Sequence, residues 1–63
     1  MFIRLTDVVN ENIKYVNINY ITAIQQMRTG ETFVAYVDGC CYSNSTPEDL
    51  VLEIERIKNE ENK

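Results

Sequence analysis

At 63 residues and 7.4 kDa the chain has room for one small domain. Hydrophobic side chains make up 44% and charged ones 25%, an ordinary globular balance that argues against a chain that is merely a disordered tail. Ten acids against six bases give a net charge of −4, which argues against coating nucleic acid or anionic lipid.

Strand signals come first along the chain. Phe2 to Thr6 alternates, with Ile3 and Leu5 on one face and Phe2, Arg4 and Thr6 on the other. Asn10-Glu11-Asn12 reads as a turn, because Asn tolerates positive φ and bonds its own backbone. Residues 13–17 are weighted toward β-branched and aromatic side chains and predict a second strand. Residues 17–20 break it before a third strand resumes over 21–27. Arg28-Thr29-Gly30-Glu31 is a hairpin connection, with Gly30 available for a left-handed position. Residues 32–37 are the most strand-like hexamer. Asp38-Gly39 then predicts a two-residue type I′ turn, pairing 32–37 with a fifth strand over 40–44.

A helix closes the chain over 47–58, capped by Thr46 or Ser45, with Pro47 in its first turn and Glu48 and Asp49 where the helix dipole favours negative charge. At about 100° per residue, Leu50, Ile54 and Ile57 form one stripe, to pack on Ile3, Leu5, Val16 and Ile24. Glu53 with Arg56, and Glu55 with Lys58, are spaced to pair. Residues 59–63 are expected to fray. The fold class predicted is α+β: one domain over 1–58, a strongly bent antiparallel sheet of about five strands, SH3-like or an open barrel, with one C-terminal helix.

Chemistry is sparse. Without histidine the chain lacks the usual general base near neutral pH and the commonest zinc ligand. Glu48, Asp49, Glu53 and Glu55 lie on a solvated helix face, with nothing to desolvate one of them. Ser43, Ser45 and Thr46 have no base beside them, and Gly30 and Gly39 lack phosphate-loop spacing. The expectation is a non-enzymatic chain with no cofactor and no metal.

A domain this small buries only about 60% of the surface its unfolded chain exposes, so it needs a staple: disulfides, a metal or another chain. Cys40 and Cys41 are adjacent, point to opposite faces of a strand and are read as reduced thiols. Association is the staple left. Both sheet faces carry apolar groups, Phe33, Ala35 and Val37 against Val34 and Tyr36, and one helix covers one face only. Leu52 lies about 160° from the helix stripe. Either a strongly curled sheet wraps a core and leaves scattered surface aromatics, or the second face meets another chain; self-association is the expectation, as a dimer or larger, with Leu52, Tyr36, Val34 and Tyr15 as interface residues.

The competing reading is a small barrel that stacks single-stranded nucleic acid on Tyr15, Tyr20, Tyr36 and Tyr42. Residues 1–47 hold three bases against four acids, which disfavours it. Met1 to Asp7 carries no basic region leading into an apolar run, and the longest apolar run is Phe33–Val37. A cytoplasmic chain without membrane insertion is expected.

The stretches "IKYVNINYITAIQQ", "ETFVAYVDGCCYSNS" and "PEDLVLEIERI" together resemble the small bacterial FlbD/SwrD-type flagellar and swarming-motility proteins. Asn17 ending the second strand, Ile21 and Ile24 after it, the Asp38-Gly39 hairpin and the serine-bearing junction before an acidic helix carry the likeness. Gln25-Gln26 and Cys40-Cys41 depart from it, where those proteins tend to carry acids and lysines. The resemblance implies an accessory role through protein contacts, with no catalytic residues to carry over.

Overall fold

The computed structural model describes residues 1–61. Its elements are β1 (Phe2–Asp7), β2 (Asn12–Asn17), β3 (Ile21–Gln26), β4 (Thr32–Tyr36), β5 (Gly39–Ser43) and α1 (Pro47–Glu61), with a 3-10 turn at Ile18–Tyr20. The strands form one antiparallel sheet in the order β2-β1-β5-β4-β3. This is the expected small α+β fold, and the sheet is not closed into a barrel. β2 and β3 remain its two edges.

β1 and β2 pair over six residues, whereas β1 meets β5 at the single pair Asp7↔Ser43. The Val8 N–H extends that junction by donating to Tyr42 C=O at 2.8 Å. The two halves of the sheet thus meet at one corner and are free to bend around the core.

The β4–β5 hairpin corrects the sequence reading by one residue. Its two-residue loop is Val37–Asp38, and Gly39 enters β5 opposite Tyr36. Neither loop residue has positive φ, so the turn is not type I′. Gly39 is extended backbone beside the Tyr36 ring, and a Cβ there would make an ordinary contact at 3.8 Å from Tyr36 Cε2. The Tyr36 hydroxyl donates to Cys40 C=O at 3.3 Å. Gly30 does take the left-handed position, at φ 95, in a loop closed by Met27 N–H to Glu31 C=O at 2.9 Å.

Ile3, Leu5, Val16, Ile18, Val34, Cys41, Leu50 and Ile57 make the core, with Ile21, Ile24, Tyr36 and Ile54 half-buried around it. Val34 is 1% exposed, which removes it from the predicted interface: its side chain faces the helix side of the sheet, among the core residues. The two cysteines divide as strand alternation requires, Cys41 inward and Cys40 exposed. On the outer face Phe33 and Tyr42 are cross-strand partners with ring centroids 5.3 Å apart, so part of the apolar surplus on that face covers itself.

Thr46 is the helix cap, its Oγ1 accepting from Asp49 N–H at 3.1 Å. Before it, the buried Thr32 hydroxyl donates to Ser45 C=O and the buried Ser43 Oγ accepts from Ser45 N–H at 3.2 Å. α1 runs three residues past its expected end at 58, so 59–61 are helical rather than frayed. Arg56 extends the last turns by pairing with Glu53 and, at 2.7 Å, with Glu60. Among the described residues Glu55 and Lys58 form no ion pair. Asn62 and Lys63, also placed in the frayed tail, lie outside the described residues.

The graded burial of the helix stripe sets a mutational order. Leu50→Ala or Ile57→Ala should cost about 2–5 kcal/mol in urea unfolding, Ile54→Ala less, and Leu52→Ala within about 0.5 kcal/mol of zero. Equal costs at Ile57 and Leu52 would contradict this placement of the helix.

Candidate functional site

One cleft, of about 390 Å³, lies where the open sheet fails to close. Phe2, Tyr15, Tyr20 and Tyr36 bring aromatic rings to it, from β1, β2, the 3-10 turn and β4. Phe2, Tyr15 and Tyr20 are exposed, whereas Tyr36 is half-buried against the core. Asn17 and Asp38 add polar groups, and Lys14 and Val16 line the side that leads to the core.

Local sequence places these groups. Asn17 ends β2 because its Oδ1 accepts from Asn19 N–H at 2.9 Å, opening the 3-10 turn that buries Ile18 and leaves Tyr20 outside. The Tyr20 C=O then accepts from Val37 N–H at 3.0 Å, fastening the 3-10 turn to the β4–β5 loop and Asp38. With Oδ1 engaged, the Asn17 amide NH₂ is left as a donor.

One wall of the cleft is an open strand edge. Ile18 N–H donates to Met1 C=O at 3.0 Å, so the antiparallel ladder bonds β1 to the alternate residues Val16 and Lys14. Ile13 and Tyr15 therefore turn their N–H and C=O groups away from β1, on the side where the sheet has no further strand. The other edge, β3, is interrupted by a register irregularity at Thr22.

Beneath the cleft sits an ion pair absent from the sequence reading. Asp7, 1% exposed, lies 3.2 Å through Oδ2 from Lys14 Nζ. The same oxygen accepts from Asn10 Nδ2 at 2.9 Å, and Oδ1 accepts from the N–H groups of Val9 and Asn10 at 3.1 and 3.3 Å. The Asn10 amide foremost, with the backbone donors and Lys14, holds the carboxyl down at about 2 against the opposing effect of burial. The hydrogen bond to Asp7 raises Lys14 in turn. The Asp-x-x-Asn spacing after an alternating strand was the available signal for this turn.

Of the four predicted interface residues, Tyr15 and Tyr36 share the cleft and Val34 is core. Leu52 lies elsewhere, 63% exposed beside Val51 on the outer face of α1. Phe2, Asn17 and Asp38 were not among the predicted interface residues, since the meeting of Phe2 and Asp38 with β2 depends on contacts far apart in sequence. Among the described residues there is no grouping of three or more Cys, Asp and Glu that could hold a metal ion, and no helix is long and apolar enough to cross a membrane. Compared with family models, curated proteins and solved structures, the chain matches none.

Two outcomes follow from the buried groups. The folded Asp7 carboxyl is depressed, so its stabilisation is complete above the unfolded value near 4 and is lost as pH falls toward about 2. Asp7→Asn should be less stable at pH 7 and decline less over that window in pH-dependent urea melts; an unchanged profile contradicts the pair. With Ellman's reagent, Cys40 should react at once in the native protein and Cys41 only on unfolding, since burial both shields the Cys41 thiol and raises its pKa.

Proposed function

We propose that this chain is a non-enzymatic interaction module that acts through protein contacts in the cytoplasm and associates with itself. The observation that supports it is the gathering of four aromatic side chains, three of them exposed, around one cleft beside an open strand edge. Aromatic residues offer large contact area at low entropic cost and are enriched where proteins meet. The likeness to FlbD/SwrD-type motility proteins points the same way, toward an accessory rather than a catalytic role.

Self-association is assigned to the outer face of α1, where Val51 and Leu52 stand exposed beside Glu48 and Glu55. The competing nucleic-acid reading gains the same aromatic cleft, but its lining cation, Lys14, is paired with Asp7, and Asp38 would face the phosphates.

Sedimentation equilibrium tests the reading. A dimer or larger species is expected at high micromolar concentration, and Leu52→Glu should return it to monomer without changing the circular dichroism spectrum. A strict monomer removes the self-association. Salt-dependent shifts of labelled single strands at low ionic strength would favour the nucleic-acid reading instead.

A further inference from the structure

The cleft has a chemical bias that narrows its occupant. Its neutral polar side chains can all donate, the hydroxyls accepting as well: those of Tyr15 and Tyr20, and the Asn17 amide NH₂ left over once Oδ1 has accepted from Asn19. The Tyr36 hydroxyl is turned to Cys40 C=O, leaving its ring face as wall. The cleft's anion is Asp38, exposed at the mouth, while the nearby Lys14 ammonium is held by buried Asp7.

Donors interleaved with aromatic faces suit a ligand rich in carbonyl acceptors and already extended. Proline-rich segments have those properties: the polyproline II helix leaves its carbonyls outward with little entropy to lose on docking. Asp38 is the exposed charge of the lining once Lys14 is paired with Asp7, so a basic residue in the ligand complements it. The chain itself has one proline, Pro47, built into the start of α1, so a second copy supplies no such segment.

We propose that the cleft formed by Phe2, Tyr15, Asn17, Tyr20, Tyr36 and Asp38 binds a proline-rich segment of another protein in the polyproline II conformation, with a basic residue of that segment against Asp38. The assignment rests on the interaction-module reading and names the partner class for one of its two surfaces.

The test is titration of the full-length, nitrogen-15-labelled chain with a synthetic peptide of about ten residues, proline at every third position and arginine at one end, to about 1 mM. Amide shifts are expected at Phe2, Asn17, Tyr20 and Asp38, and not along Val51–Glu55. Replacing the peptide's prolines by alanine should weaken binding at least about tenfold, as should Tyr20→Ala, whose ring is half-exposed and outside the core. Asp38→Asn, which keeps shape, should weaken binding several-fold and flatten its salt dependence.

No shifts, or shifts confined to the helix, overturn the proposal. An alanine peptide that binds as well or better overturns it in favour of strand addition along β2. A single-stranded oligonucleotide that moves the cleft resonances when the peptide does not overturns it in favour of base stacking. Sedimentation equilibrium on the same samples keeps the two readings apart: a chain that self-associates and ignores the peptide loses this ligand and retains its role as an interaction module.

Discussion

The buried carboxylate of Asp7 is the constraint on which the sheet depends. It stands at the last residue of β1, facing Asn12 of β2 on one side and Ser43 of β5 on the other. One oxygen closes the turn through Val9 and Asn10, and the other takes the Asn10 amide and the Lys14 ammonium. A buried carboxylate is tolerated only when its lone pairs are met, and here backbone, amide and ammonium donors all converge on it. The corner that joins the two halves of the sheet is therefore polar, although the core beside it is aliphatic. Replacing Asp7 by an apolar residue would leave two turn amides and an ammonium without their acceptor at the one place where β1 meets β5.

Openness of the sheet is the second consequence of that corner. With β1 and β5 sharing a single pair, the halves bend toward one another around Ile3, Leu5, Val34 and Cys41, and α1 lays Leu50 and Ile57 into the trough. The bend is not completed by hydrogen bonds between the outer strands. Instead the 3-10 turn spans the distance, buries Ile18 and reaches the β4–β5 loop through Tyr20 C=O. A cleft remains between that bridge and the unpaired edge of β2. Strand alternation supplies part of its aromatic lining: Tyr15, which β2 turns outward, has no helix to cover it.

Much of the architecture was legible because local signals and burial agreed. The alternation Ile3-Leu5, the Thr46-Pro47 helix start, Gly30 in its loop and the break at Asn17 each rest on chemistry confined to a few neighbours. The Asp38-Gly39 turn misled because a local propensity yields to the register of the strands, which pairs Gly39 with Tyr36 and leaves Val37–Asp38 as the loop. Val34 was open to misassignment for a related reason. On a strand with apolar groups on both faces, composition does not tell inside from outside, and the decision falls to the register with Cys41. The cleft was the least legible part. Tyr15 and Tyr36 were visible as surplus aromatics, but their meeting with Phe2 and Asp38 depends on contacts between residues far apart in sequence.

The same electrostatic arrangement links stability to recognition. Lys14 on β2 lines the cleft together with Asp38, and an unengaged ammonium there would offset that carboxylate and repel a basic ligand. Asp7 prevents this by holding the ammonium at the floor, where hydrogen bonding favours both charged forms together. The pair that fixes the corner of the sheet thereby leaves Asp38 as the unbalanced charge at the cleft mouth. The selectivity proposed for the open side, toward a cationic partner, rests on the way the fold neutralises its own interior.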